Sequence, residues 1–309
     1  MSPHWQVPAM LAELCAHALE AGIEEDYVQG LVMKWELFRH FAPTGCEKWP
    51  WPVKINCLGG FSIIRKGEVL EFPVKAQKKP LEMLKVLISA GESGITEEQV
   101  SDILWPDAAG DRAHQSFATT LHRLRKLLHI DETLRLRDGR LNLDPRYFWV
   151  DAWAFERFAK EADAALRGGD QARGLRSCEK AFNLYRGRFL GGDSGEPWAD
   201  AYSNRLQSKF LRCVEAIGKH LEQSGQWEQA EQHYRKGLEA DALAESLHQR
   251  LMHCLGTMGR RAEMLAAYER CRKTLREHLD IDPNPETEAL RTIHLTETTH
   301  SKPPRLRPL

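Results

Sequence analysis

Residues 112–129 read RAHQSFATTLHRLRKLLH, and the spacing of their apolar side chains predicts an amphipathic helix. At about 100° per residue, one arc of this helix carries Ala113, Phe117, Leu121, Leu124 and Leu128. The opposite arc carries seven polar or basic side chains and no acid: Arg112, Gln115, Ser116, Thr119, His122, Arg123 and Lys126. Side chains of these types bind base edges and phosphates, although a charged helix face is more often simply solvated. The segments around this helix therefore decide its interpretation.

The flanking segments have the order of a winged helix-turn-helix domain. Before the helix come three short β-rich stretches (53–58, 61–66 and 69–72), a fourth expected strand at 74–77, a helix at 79–90 and a second helix that Thr96 caps. After it, residues 133–145 read TLRLRDGRLNLDP, which predicts a strand, an Asp138-Gly139 turn and a second strand. In domains of this order the third helix enters the major groove of DNA, and the hairpin, or wing, lies beside it.

The distribution of charge agrees with this interpretation. The whole chain has a net charge of −1, so its composition favours no particular partner. Residues 112–146, however, contain eight Lys and Arg against four Asp and Glu, a local basic patch of the kind that a nucleic-acid surface needs. The predicted wing contributes Arg135, Arg137 and Arg140 to this patch. Arg125 projects toward the apolar arc, which predicts a salt bridge within the domain or a phosphate contact rather than base reading.

A second pattern begins at Tyr147, from which the chain is predicted to be almost wholly helical, with Asp151 as a helix N-cap. Residues 225–234 and 259–268 resemble each other at an offset of 34 residues. Such a step, with small and aromatic residues in these places, is typical of tetratricopeptide-like units, each made of two antiparallel helices. Residues 169–178 look like an earlier, degenerate copy.

Together these motifs resemble two domains of bacterial activators. The OmpR-type winged-helix domain, as in the streptomycete antibiotic regulatory proteins, is matched by LGGFSIIRKGE (58–68), ITEEQVSDILWPD (95–107), SFATTLHRLRKLLH (116–129) and LRLRDGRLNLDP (134–145). The bacterial transcriptional activation domain is matched by WVDAWAFERFA (149–159), YRGRFLGGDSGEPWADAYSNRL (185–206) and LREHLDIDPNPETEAL (275–290). The first fifty residues resemble the end of a helical region that precedes this pair in large MalT-like activators. The chain is therefore either a standalone member or the carboxyl-terminal part of a larger regulator.

The predicted fold class is mainly α with a small β component: a winged helix-turn-helix domain followed by an all-α tetratricopeptide-like helical-repeat domain. The expected boundaries are a helical hairpin at 1–41, a Pro/Trp linker at 42–52, the OmpR-type DNA-binding domain at 53–146, the activation domain at 147–296 and a disordered tail at 297–309. Trp49 and Trp51 are expected to pack the linker onto a neighbouring domain rather than to stack on bases.

No catalytic or metal-binding arrangement emerges from the sequence. Residues 192–197, GDSGEP, are similar to the nucleophile loop of trypsin-like proteases, but the His and Asp motifs that this chemistry needs are missing. A turn before a helix that starts near Pro197 is expected instead. His248 and His253 are five residues apart and do not share a helix face as a metal-binding pair would. No enzyme activity, metal or cofactor is predicted.

The cysteines and the hydropathy pattern indicate the compartment. The seven cysteines are scattered without a CxxC pair, which favours free, buried thiols over a disulfide framework. No apolar run approaches the length of a membrane span. The sequence therefore predicts a cytoplasmic protein without a membrane partner.

We predict a sequence-specific, DNA-binding transcription regulator that reads the major groove of double-stranded DNA with helix 112–129 and contacts the backbone with the wing at 133–145. Gln115, Thr119, His122 and Arg123 are the predicted base-reading residues, while Arg112, Lys126 and the wing arginines anchor phosphates. The helical repeats are expected to contact RNA polymerase or a second copy of the chain, as in a homodimer, through a concave surface. That the regulator is an activator is implied by the resemblance alone.

Two alternatives remain open. One is a helical-repeat interaction scaffold whose winged helix does not bind DNA by itself, and the acid-free face of helix 112–129 counts against it. The other is an effector sensor, for which the sequence identifies neither a small-molecule effector nor its pocket.

Overall fold

The computed structural model describes residues 7–65, 67–71, 78–108, 110–128, 133–137, 139–191 and 195–296. Its helices are α1 (Val7–Glu20), α2 (Glu25–Lys34), a 3₁₀ turn (Leu37–Arg39), α3 (Lys78–Ala90), α4 (Glu97–Leu104), α5 (Gly110–Leu128), α6 (Asp151–Arg167), α7 (Gln171–Leu184), α8 (Pro197–Gln223), α9 (Trp227–Ala240), α10 (Glu245–Thr257), α11 (Arg261–Leu279) and α12 (Pro285–Thr296). Its strands are β1 (Val53–Asn56), β2 (Ser62–Arg65), β3 (Glu68–Val69), β4 (Ile95–Thr96), β5 (Leu134–Arg137), β6 (Arg140–Leu143) and β7 (Phe148–Val150). The predicted fold class, mainly α with a small β component, is confirmed.

The amino-terminal helices α1 and α2 pack on each other as a hairpin. Gly22, with φ of 71°, ends α1 in the left-handed conformation, and the N–H of Ile23 bonds back to the carbonyl of Ala18. This is the geometry of a glycine helix end. Trp49 and Trp51 in the following Pro/Trp segment are buried, in agreement with their predicted packing role, and Trp51 Nε1 donates to the Cys46 carbonyl at 2.9 Å.

The first sheet has the strand order β3-β2-β1-β7. Strand β1 pairs antiparallel with β2, as predicted, and parallel with β7 on its other side. Strand β7 was not predicted: the chain was expected to be almost wholly helical from Tyr147, but all three residues of β7 are extended and buried, and the helix begins at Asp151, the predicted N-cap. The strand expected at 74–77 lies outside the described residues.

Asp151 connects this sheet to α6. It is the first residue of the helix and only 4% exposed. Its carboxylate accepts the N–H groups of Cys57 at 2.9 Å, Leu58 at 3.0 Å and Ala152 at 2.7 Å. Burial raises the pKa of this carboxyl, whereas the hydrogen bonds act in the opposite direction. Asp151 therefore binds the end of β1 as well as the start of its own helix.

The second sheet, β4-β6-β5, completes a winged helix-turn-helix arrangement with α3, α4 and α5. Both of its strand pairs are antiparallel. Strand β4 was not predicted, since two residues are too few to show an alternating pattern. The core of this part is apolar and closed, with these side chains at most 2% exposed: Met83, Leu84, Val100, Phe117, Leu124 and Leu141.

The chain divides into two compact units. The first unit contains the described residues of 1–158 and 184–206, and the second unit contains those of 159–183 and 207–309. In the second unit the same type of turn between consecutive helices occurs at three glycines. Gly169, Gly225 and Gly259 have φ of 81°, 71° and 73°, and a helix begins two residues after each of them. Nine positions after these glycines lie three buried side chains, Cys178, Tyr234 and Tyr268. The structure thus agrees with the predicted 34-residue period and with the degenerate earlier copy.

No helix in the described ranges is both long enough and apolar enough to cross a membrane.

Candidate nucleic-acid interface

Helix α5 packs with one face on the winged-helix core. It begins at Gly110 and carries Asp111 in its first turn, where an acid complements the helix dipole. Its buried side chains face α3 and α4 and comprise Phe117, Thr120, Leu121, Leu124 and Leu128. Thr120 was not predicted to be buried because a threonine does not extend an apolar pattern, and Ala113 is only half-buried.

The opposite face of α5, called here the outer face, is open to solvent. Six of its predicted DNA-contacting side chains are exposed and have no hydrogen bond or ion pair with the residues that the structure describes: Arg112, Gln115, Thr119, His122, Arg123 and Lys126. Ser116 is half-buried. From its first to its last member the outer face extends about 21 Å at the helical rise of 1.5 Å per residue. The structure therefore presents these side chains together on one continuous surface.

Contacts from α4 fix the start of α5. The Thr96 hydroxyl accepts the Gln99 N–H at 3.2 Å, and the Gln99 side chain accepts the Thr96 N–H at 3.1 Å, so the predicted Thr96 cap is confirmed as a reciprocal capping box. The next residue, Glu97, is hydrogen-bonded to His114 in the first turn and a half of α5. This contact connects the two helices on either side of the turn.

Arg125 lies away from the outer face and connects α5 to the wing. It is half-buried, and its guanidinium donates to the Leu134 carbonyl at 2.9 Å. Arg125 thus makes its contact within the domain, but to a backbone carbonyl of β5 and not through the predicted salt bridge.

Asp144 organises the base of the wing. It is 4% exposed, and its carboxylate lies 2.6 Å from Arg135 and 2.7 Å from Arg146. Burial acts to raise the pKa of Asp144, but the hydrogen bonds from Arg146 and the charges of Arg146 and Arg135 outweigh it, so the pKa lies below its ordinary value. Sequence reasoning missed this residue. The only signal for it was an acid at the end of a strand that faces an alternating arginine.

Arg140 is also engaged inside the protein. Its Nε donates to the Ser93 carbonyl at 3.2 Å and its terminal nitrogen to the Gly94 carbonyl at 2.9 Å. Arg135 and Arg140 therefore both have internal acceptors in this unbound chain. The side chain of Arg137 and all of Asp138 lie outside the described residues, while Gly139, with φ of 71°, has the conformation that the predicted hairpin turn requires.

The other motifs of the sequence form no site in the described part of the chain. Residues 192–194 lie outside it, and α8 begins at Pro197, where a helix start was predicted. His248 is buried and bonded to the Ala242 carbonyl at 3.1 Å, and burial lowers its pKa. Among the described residues, no three His, Cys, Asp or Glu side chains are placed to hold a metal ion. All seven cysteines are free and buried.

Comparisons with known proteins bear mainly on the helical part. Residues 150–293 match the family model of the bacterial transcriptional activator domain. Among solved structures, the chain is similar to Mycobacterium tuberculosis EmbR in complex with a low-affinity phosphopeptide, with a TM-score of 0.61 and 20% sequence identity over 80% of this chain. The match covers 65% of the EmbR chain, less than two thirds of its length. No curated protein matches the chain significantly.

The family match supports a bacterial transcriptional activator, and the likeness to EmbR supports an architecture with a β-containing first part and a helical second part.

Proposed function

We propose that this protein is a sequence-specific, DNA-binding transcription activator whose helix α5 docks in the major groove. The observation that carries the proposal is the outer face of α5, the helix that follows α4 and a turn. Six polar or basic side chains on this face are exposed and have no partner among the described residues. The exposed faces of α9 and α11 differ, because they contain acids and form ion pairs within the helix, such as Lys236 with Glu239 and Arg272 with Glu269. The outer face forms none within the described residues.

The chemistry of the outer face suits base reading. The major groove of DNA is about 12 Å wide and admits one α-helix. Arginine binds guanine through two hydrogen bonds, glutamine binds adenine in the same way, and a threonine methyl contacts the methyl of thymine. Arg123, Gln115 and Thr119 are assigned these roles, with His122 as a further base contact. Arg112 and Lys126, at the two ends of the face, neutralise phosphates and set the register.

The wing has a supporting role in this proposal. Asp144 holds Arg135, and the Ser93 and Gly94 carbonyls hold Arg140, so these two arginines stiffen the hairpin and contribute positive potential near the backbone. Arg137, beside the turn, keeps its sequence-based assignment to the DNA backbone, and Ser116 keeps its assignment at the edge of the helix face. An OmpR-type domain at 53–146 followed by an activation domain at 147–296 is part of the same proposal.

The helical repeats would supply the contact to RNA polymerase or to a second copy of the chain. The support is the family match of residues 150–293 and the stacked helical turns of the second unit. Such a regulator acts in the cytoplasm and needs no cofactor for DNA binding.

Selection from a pool of random duplexes tests the proposal. The wild-type protein is compared with Arg123→Ala/Lys126→Ala and with a matched control, Lys236→Ala/Lys273→Ala, which removes the same charge from exposed lysines of α9 and α11. We expect one enriched motif with the wild type and the control, and its loss or strong weakening with the α5 variant. Equal, unenriched retention of all three proteins would contradict DNA reading and favour the interaction-scaffold alternative.

A further inference from the structure

A cleft of about 620 Å³ lies in the first unit, between α2 and the first sheet. One wall is a single face of α2, with Asp26, Gln29, Gly30 and Met33 at helical spacing. The facing wall is the segment from Glu47 to Pro52 together with residues of β1 and β2. Its volume lies within the roughly 300–1,000 Å³ of sites that bind small molecules.

The surface of the cleft is mainly apolar. The contributing side chains are two prolines, two tryptophans, an isoleucine and a methionine: Pro50, Pro52, Trp49, Trp51, Ile64 and Met33. Both indoles are packed into the protein, at 1% and 4% exposure, so they hold the wall from behind, and the surface that a ligand can touch comes from the prolines, Ile64 and Met33. A rigid apolar wall of this kind favours a planar ligand, because burial of a flat ring costs little conformational entropy.

The charges around the cleft leave one carboxylate without a counter-ion. Lys48 is paired with Glu25, and Lys54 lies 3.7 Å from the Glu47 carboxylate and over the ring of Trp149. Asp26 is exposed and has no hydrogen bond or ion pair with any described residue. A ligand that enters the cleft therefore meets one unpaired negative charge at its mouth, which favours a cationic group over an anionic one.

Gly30 keeps the mouth of the cleft open. It lies in the middle of α2, where a glycine costs roughly 1 kcal/mol of helix stability relative to alanine. A Cβ added at Gly30 would meet no atom within 4 Å, so no packing contact inside the described chain requires a glycine there. A long side chain at this position would instead project from the wall of the cleft.

From these observations we infer that the cleft between α2 and the Glu47–Pro52 segment binds a small aromatic amine. The ring packs on Pro50, Pro52 and Met33, and the ammonium group pairs with Asp26. Such a ligand would bridge the amino-terminal hairpin and the sheet that precedes the winged helix. This inference does not depend on DNA binding, because binding of the ligand to the full chain is measured in the absence of DNA.

The test uses three probes that share a 1-naphthylmethyl group: 1-naphthylmethylamine, 1-naphthylmethanol and the anion of 1-naphthaleneacetic acid, called here the acetate. Binding to the full chain is measured by ligand-observed NMR titration for the wild type, Gly30→Leu, Gly30→Ala and Asp26→Asn. We expect the wild type to bind the amine about fivefold more tightly than the alcohol, the ratio that one solvent-accessible ion pair supplies, and to bind the acetate least. Gly30→Leu should weaken the amine by about tenfold or more through occupation of the cleft, whereas Gly30→Ala should leave it unchanged.

The variants are chosen so that loss of folding cannot imitate loss of binding. Both Gly30 substitutions replace glycine by a better helix former in open space, so circular dichroism should show both folded and slightly stabilised. Asp26→Asn should bring the affinity of the amine down to that of the alcohol. The inference is overturned if no probe binds the wild type, if Gly30→Leu binds the amine as well as Gly30→Ala does, or if the acetate binds best.

Discussion

Replacement of Asp144 by asparagine is expected to loosen the wing. The substitution keeps the shape of the side chain but removes the charge that holds two arginines at 2.6 and 2.7 Å. Removal of one partner from a fully buried ion pair costs about 3–5 kcal/mol, since the other charge stays buried and unpaired. Here the arginine side chains are 31% and 33% exposed, so water screens part of the loss. We expect a destabilisation of the wing of about 2 kcal/mol.

Hydrogen exchange on the full chain measures this effect where it occurs. Amides of β5 and β6 should exchange about 30-fold faster in Asp144→Asn, the equivalent of about 2 kcal/mol of local opening free energy. The matched control is Asp163→Asn in the second unit, which removes a carboxylate from the more exposed ion pair with Arg212. The control should change local exchange only slightly, as exposed pairs contribute little.

The lowered pKa of Asp144 also determines how its contribution to stability depends on pH. Because the pKa of Asp144 is lower in the folded state, its contribution is fully present above the unfolded value of about 3.9 and is lost as the pH falls through the folded value. Urea unfolding should therefore show the full difference between wild type and Asp144→Asn at pH 6, and a difference that shrinks progressively as the pH falls below about 3.9. An Asp144→Asn wing as protected as that of Asp163→Asn at pH 6 would refute the assigned role.

Three further predictions concern the turn, the outer face and the thiols. Gly94→Ala should destabilise the winged helix by about 2 kcal/mol or more in urea unfolding, since φ is +69° and the new Cβ would lie 2.6 Å from the Leu141 carbonyl oxygen; unchanged stability would contradict the described β4–β6 contact. Lys126→Ala should reduce the slope of log affinity for DNA against log salt concentration by about 0.9. Gln115→Ala should leave this slope unchanged and alter the sequence preference instead. The same effect from both variants would contradict their separate roles. Native protein at pH 8 should resist thiol-modifying reagents at all seven cysteines, because each is at most 4% exposed, and at Cys254 burial first and Glu222 second also raise the pKa to about 12. Rapid labelling without denaturant would contradict this.

Local signals in the sequence were sufficient for much of the fold. The Thr96 cap with Gln99 three residues later, the glycine turns of the second unit and the period of α5 are all determined within one or two turns of chain. These features could be predicted because neighbouring residues alone satisfy their hydrogen bonds and torsions. The two-residue strand β4 and the parallel strand β7 could not, since their partners are distant in sequence.

The same distinction holds at the candidate interface. The exposed residues of α5 follow from helical periodicity, and the structure places them on one face. The fate of the wing arginines depends on partners that come from elsewhere, namely Asp144 for Arg135 and the loop before β4 for Arg140. Alternation along a strand predicts which face of the sheet an arginine side chain lies on. It does not predict whether a hydrogen-bond acceptor from another segment lies on that face.

The central claim is that the outer face of α5 lies in the major groove, and site-directed cross-linking tests it most directly. All seven native cysteines are buried, so a cysteine introduced at Thr119 is the accessible thiol of the folded chain. Thr119→Cys is incubated with duplexes that carry the selected motif and a thiol-tethered base in the major groove, and Lys160→Cys, at an exposed position of α6, is the control. We predict a disulfide cross-link at one or two positions of the motif with Thr119→Cys and none with Lys160→Cys. Motif binding without a cross-link from Thr119→Cys at any tether position, or equal cross-linking by Lys160→Cys, would contradict it.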